Sequence, residues 1–100
     1  MNRIEKPLVS VILTTHQRPV LLSRALESLV TQSFLNFEII LVSDTLDSLT
    51  LDVSKKYLRK TDSLIMNPNL IGPSESRNFG IQISKGKWIS FLDDDDAWNA

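Results

Sequence analysis

The 100-residue sequence has no cysteine, which removes a disulfide framework, a thiolate metal site and a cysteine nucleophile. That absence suits a reducing compartment, and a cytoplasmic location is the expectation. No apolar run approaches the ~20 residues of a bilayer span. The first seven residues, Met-Asn-Arg-Ile-Glu-Lys-Pro, lack the apolar segment of a secretion signal. Membrane association would have to come through segments outside these residues. With a net charge of −1 nothing suggests a polyanion-binding surface, so nucleic acid is not an expected partner. Glycine is scarce, and none of the three falls in Thr14-Thr15-His16-Gln17-Arg18-Pro19 after the first apolar run. The glycine-rich phosphate loop of dinucleotide oxidoreductases is therefore missing. What remains is an ordinary globular balance, 42% hydrophobic and 23% charged, enough for one domain around one core.

Leu8 to Thr14 is a nearly continuous apolar and β-branched run, the pattern of a strand buried on both faces of a parallel sheet. Pro19 suits the first position of a helix, and Leu22, Ala25, Leu26 and Leu29 keep helical spacing to about Thr31. Residues 37–43 form a second apolar strand ending at Ser43-Asp44. Leu46, Leu49, Val53 and Tyr57 predict a helix in the later part of 45–60. Ser63 to Met66 reads as a short strand, and Asn67 to Pro73 as a loop. Ser74 or a neighbour is placed to cap a third helix, with Glu75 in its first turn and Gly86 at its end. Residues 88–92 are a fourth strand, followed at once by Asp93-Asp94-Asp95-Asp96.

Strand and helix alternate throughout. The expected fold is a Rossmann-like three-layer α/β unit with a mainly parallel four-stranded sheet and right-handed crossovers. Ligands of such sheets gather beyond the carboxyl ends of the strands, near the point where strand order reverses. Thr14-Thr15-His16, Ser43-Asp44 and the aspartate run all fall at strand ends, so topology brings them to one edge.

Four consecutive aspartates repel one another, and a hard divalent cation such as Mg2+ or Mn2+ relieves that repulsion. A solvated acidic turn closing the strand is the other reading. Asp44 sits at the level where related folds hold ribose hydroxyls, or else caps the next turn. Arg77, near the start of the third helix, can meet a diphosphate or form a surface ion pair. His16, the single histidine, fits a hydrogen-bonding role as well as a catalytic one. Trp88 and Trp98 read as packing residues.

Val9-Ser-Val-Ile-Leu-Thr-Thr-His-Gln-Arg-Pro19, then Ala25-Leu26-Glu27-Ser28-Leu29, Gln32-Ser33-Phe34 and Asn36-Phe37-Glu38-Ile39-Ile40-Leu41-Val42-Ser43-Asp44, resemble the opening of the family-2 glycosyltransferases. Arg77-Asn78-x-Gly80 and Lys85-Gly86-Lys87-Trp88-Ile89-Ser90-Phe91-Leu92-Asp93-Asp94-Asp95-Asp96-x-Trp98 resemble the stretch that ends in their Asp-x-Asp motif. Each piece is weak alone, and their order and spacing over Leu8 to Trp98 are specific. The resemblance implies a partial GT-A fold and a nucleotide-sugar donor, a UDP-sugar first, bound with Mn2+ or Mg2+. It implies that Thr14 and His16 border base and ribose, that Asp44 binds one of these, and that Arg77 lies near the phosphates. Asp93 and Asp94 would contact sugar or ribose, and Asp95 would hold the metal. Thr14 stands where the family often has proline, His16-Gln17 where it has tyrosine-asparagine, and Ser43 where it has an acidic residue. The general base and acceptor contacts of the family lie in a further half, so the catalytic base is expected beyond Ala100. Residues 1–100 then read as an excised fragment, inactive alone and prone to self-association. The acceptor (sugar, lipid or protein) is open. The competing readings are a catalytically silent nucleotide-binding or assembly module and a receiver-like signalling domain. The latter needs a lysine late in the chain, and none follows Lys87.

Overall fold

A computed structural model describes residues 7–32, 36–70 and 72–94. Seven elements alternate along the chain: β1 (Val9–Thr15), α1 (Pro19–Val30), β2 (Phe37–Ser43), α2 (Ser48–Tyr57), β3 (Ser63–Met66), α3 (Gly72–Ile83) and β4 (Trp88–Asp93). The sheet runs in the order β3-β2-β1-β4, and all three pairings are parallel. The mainly parallel four-stranded sheet expected from the alternation is what forms.

The apolar runs are central because they must be covered on both faces. Every residue of β2 is buried, and so is β1 from Ser10 onward. Val11, Leu13, Ile39 and Leu41 face α1, whose Leu22, Ala25, Leu26 and Leu29 are fully buried against them. Burying each of those leucines contributes about 1.5–3 kcal/mol, so this face holds most of the core. Val53, Tyr57 and Leu58 extend the same cluster from α2 and the residue after it. Ile12, Ile40 and Val42 point the other way, where Leu70 and Ile83 of the α3 region close over them. Gly80 allows that helix to come close, since a Cβ there would lie 2.6 Å from the Ile12 side chain. Helices α1 and α2 thus cover one face and α3 the other. The chain changes face after β3 and returns beside β1, so strand order reverses at β1.

α1 starts at Pro19 with no side-chain cap, whereas α2 has Asp47, whose carboxylate accepts from the Thr50 N–H at 3.0 Å and the Thr50 hydroxyl at 2.7 Å. Burial works against the Asp47 charge and is the largest single influence. The hydrogen bonds from Thr50 and Thr45 together outweigh it and hold the carboxyl below its ordinary value. α3 begins at Gly72, two residues before the cap expected at Ser74, and ends at Ile83, before Gly86. Gly86 has another reason to be there. A Cβ would meet the Ser10 backbone N at 2.5 Å, and the Gly86 N–H donates to Ser10 Oγ at 2.7 Å. Ser10 donates in turn to the buried Glu38 at 2.6 Å, and Glu38 also accepts from the Lys85 N–H. A buried polar knot therefore fixes the α3–β4 turn at the end of the sheet opposite the polar strand ends.

A second knot joins α2 to β2. Asp62, with no exposed side-chain surface, accepts from the N–H groups of Ile39 and Arg59 and pairs with the Arg59 guanidinium at 3.0 Å. Arg59 also donates to the Phe37 carbonyl and stacks over its ring. β4 forms the sheet edge among the described strands, and its Trp88, Ile89 and Phe91 remain exposed. Trp88, expected to pack, is 60% exposed at the first position of that edge strand. Trp98 lies outside the described residues.

Candidate functional site

The carboxyl ends of β1, β2 and β4 and the first turns of α3 enclose a cleft of about 180 Å3 lined by Thr14, Thr15, His16, Arg18, Asp44, Ser76, Arg77, Asp93 and Asp94. The position follows from topology. β1 lies between β2 and β4, so the loop that leaves it has a strand end on either side. Register places Thr15 opposite Ser43 and Thr14 opposite Asp93.

The loop after β1 uses both neighbours. Gln17 has φ 51°, in the left-handed region that costs a non-glycine residue about 1–3 kcal/mol. On either side of that turn the side chains diverge. His16 Nδ1 meets Asp44 Oδ1 at 2.7 Å beside β2, and Arg18 donates to Asp94 Oδ1 at 3.0 Å beside β4. Against an ionised Asp44, which only accepts, Nδ1 is the donor of this contact. Asp44 is 15% exposed and His16 60%, so the ring shields the carboxylate from solvent on one side.

Asp93 and Asp94 are each met by one threonine and one arginine. Thr14 donates to Asp93 at 3.1 Å, and Arg77 reaches the same oxygen from α3 at 3.0 Å. Thr15 donates to Asp94 at 2.9 Å, opposite the Arg18 contact. Two cations from different elements thus offset two of the four consecutive negative charges. The two carboxylates differ in exposure: the Asp93 side chain is 45% exposed to the cleft, while that of Asp94 is 3% exposed with both oxygens engaged.

Of the residues singled out in the sequence, Thr14, His16, Asp44, Arg77, Asp93 and Asp94 come together in this cleft. Asp95, the expected metal ligand, and Asp96 lie outside the described residues. So does Ala100, beyond which the general base is expected, and no described residue is assigned that role. Among those described, no group of three acidic, histidine or cysteine side chains is arranged to hold a metal ion. Arg18 and Ser76 carry no expectation from the sequence, and Thr15 only that of lying at a strand end. A threonine next to Thr14 and a cation just before Pro19 are the available signals, but their partners lie 76 or more residues away.

The sequence profile described as Glycosyl transferase family 2 matches residues 10–100. The chain is 38% identical over 93 residues to the GalNAc(5)-diNAcBac-PP-undecaprenol beta-1,3-glucosyltransferase of Campylobacter jejuni, an overlap of 90% of this chain and 30% of that protein. The crystal structure of S. aureus TarS 1-349 in complex with UDP superposes with a TM-score of 0.79 at 29% identity, over 91% of this chain and 28% of the other. The mannosyltransferase PcManGT of Pyrobaculum calidifontis, solved with GDP-Man and Mn2+, has a TM-score of 0.82 at 19% identity, covering 96% of this chain and 30% of its own, a likeness of fold alone. The chain spans between 30% and 37% of the length of four curated relatives that it matches.

Proposed function

The chain belongs to glycosyl transferase family 2, and from that premise we propose that it holds the nucleoside diphosphate of a sugar donor in the cleft at the ends of β1, β2 and β4. In the full-length protein the sugar is then transferred to an acceptor hydroxyl. The observation that carries this reading is the convergence of Thr14, Asp44, Arg77 and Asp93 from four different elements into one cleft. Asp44, with His16 on one oxygen, accepts from the base or a ribose hydroxyl. Thr14 and His16 border the same moiety. Arg77 and the partly positive N-terminal end of α3 face the diphosphate. The relative from S. aureus is described with UDP and the one from C. jejuni acts on an undecaprenol-diphosphate-linked sugar, which favours a UDP-sugar and a lipid-linked acceptor here.

The donor set at the end of β4 is hard oxygen, which suits Mn2+ or Mg2+. Asp95, outside the described residues, would hold the cation in this reading, and the half-exposed Asp93 carboxylate would contact the sugar or ribose beside it. When bound, the cation offsets the charge that develops on the departing diphosphate. The residues of the chain hold and orient: Arg77 stands beside the same charge, while Thr14 keeps Asp93 turned to the cleft.

In this reading the acceptor, held in line with the anomeric carbon, and its general base are expected from a part of the full-length protein outside residues 1–100, which alone are not expected to turn over. Calorimetric titration with UDP tests the site. Binding should tighten with Mn2+ relative to a chelator, and Asp95→Asn should abolish that difference, with Asp96→Asn mattering less. Equal affinity in both buffers would remove the metal from this reading, and no binding in either would remove the nucleotide. Acceptor-dependent transfer by residues 1–100 at the full-length rate would disprove the division of labour.

A further inference from the structure

Asp93 and Asp94 are neighbours in sequence with opposite surroundings. Asp93 ends β4 with its side chain 45% exposed, while Asp94, the first residue of the turn that follows, sits at the wall of the cleft with its side chain 3% exposed. Both Asp94 oxygens are already engaged, Oδ1 by Arg18 at 3.0 Å and Oδ2 by the buried Thr15 at 2.9 Å. At that exposure its remaining lone pairs present almost no surface to a ligand. Burying it without partners would be costly, so the two contacts are what keep it in place. Arg18 comes from the residue before α1, beyond the left-handed Gln17, so the loop leaving β1 and the turn leaving β4 are tied together directly.

We infer that Arg18 and Asp94 form a positioning pair: with Thr15 they lock the turn after β4 and so fix the direction in which Asp93 faces the cleft, without touching the sugar donor. This rests on the reading of the cleft as the donor site. The pair sits on the side of the sheet opposite Arg77, so Asp93 is steadied through its own chain neighbour from one face and by Arg77 from the other. Bidentate planarity is not used at Arg18, because one guanidinium nitrogen meets Asp94. Lysine can therefore replace it in part, which gives the pair a conservative rescue.

The test uses the full-length protein and a double-mutant cycle on Arg18→Met, Asp94→Asn and both together, with Arg18→Lys as the rescue. Turnover of a UDP-sugar is measured at a temperature where circular dichroism shows every variant folded. Each single change should lower kcat about 10- to 100-fold, the usual cost of loosening a residue that orients a reacting group. The double variant should be no worse than the poorer single, Arg18→Lys should recover most of the loss, and UDP affinity in chelator should stay within about threefold, because coupled residues are non-additive. Additive losses, or UDP binding weakened by Asp94→Asn whatever stands at 18, would make Asp94 a ligand contact and overturn the inference. A second readout is independent of any donor. In donor-free protein the Asp93 carboxyl 13C resonance should shift in Arg18→Met and return in Arg18→Lys. An unmoved resonance overturns the positioning role even if the cleft binds something other than a nucleotide, while a moved resonance in a protein that binds no UDP sinks only the donor-site reading.

Discussion

Replacing Asp62 with alanine removes a carboxylate that ties the α2–β3 turn to β2. Four hydrogen bonds disappear together: from the backbone N–H of Ile39 and of Arg59, both at 2.8 Å, and from Arg59 Nε and one terminal nitrogen, both at 3.0 Å. Each backbone donor left unpaired in a buried place costs about 1–3 kcal/mol. The guanidinium is a lesser loss. Its side chain is 29% exposed and turns to water, so the full cost of stranding a buried charge does not apply. The two backbone donors alone come to about 2–6 kcal/mol, a large share of the roughly 5–15 kcal/mol that stabilises a domain. At ~4–8 °C per kcal/mol for a chain of this size, thermal melts followed by circular dichroism should drop by roughly 8–48 °C. Arg59→Met in the Asp62→Ala background should cost less than in the parent, because only the contacts of Arg59 with the Phe37 carbonyl and ring are then left to lose. A melt within about 3 °C of the parent, at an unchanged denaturant m-value, would show that water replaces the carboxylate at no cost and that the knot does not hold the turn.

Asp44→Ala should weaken UDP binding by about 1–3 kcal/mol, the loss of a charge-assisted hydrogen bond, with the melting temperature little changed. If the melt collapses while calorimetric affinity holds, Asp44 is a structural cap and His16 only its partner. Asp47→Ala should cost about 1 kcal/mol at neutral pH through loss of the α2 cap. The folded Asp47 carboxyl lies below its ordinary 3.8, so the unfolded chain takes up its proton first as pH falls. The stabilisation is therefore full above that value and fades below it. Urea midpoints of parent and variant should converge in acid, and a constant gap down to the acid limb would contradict the assignment.

The element order is readable because helical spacing and β-branched runs are local signals. Leu22, Ala25, Leu26 and Leu29 announce the buried stripe of α1, and Phe37 to Val42 announce a strand covered on both faces. That Asp44, Asp93 and Asp94 share one cleft is readable because a parallel α/β chain delivers its strand ends to one edge. The roles of Arg18 and Thr15 are not, because their meaning lies in a partner 76 or 79 residues away. Gly86 reads as a helix stop, though its place is set by contact with Ser10 across the sheet. Trp88 to Leu92 reads as a strand, with Trp88 a packing residue. Hydrophobicity does not distinguish a centre strand from an edge, and here the strand order leaves one side of β4 without a described neighbour.

That order also sets a timetable for synthesis. β1 meets β2 across 28 residues but must wait for β4, whose partners lie 79 residues along the chain. A chain emerging from the ribosome can therefore close β1, α1 and β2 early, then add α2 and β3, while the outer rim of β1 has no companion. Closing the longer loop is the slower event, and until it happens a neighbouring nascent chain can pair along Val9 to Thr15 in its place. The cleft matures last for the same reason, since Thr14, Thr15 and Arg18 find their aspartates only when β4 docks. On polysomes crowded with copies of this message, the order of emergence leaves that rim of β1 open to chain-to-chain pairing until β4 arrives.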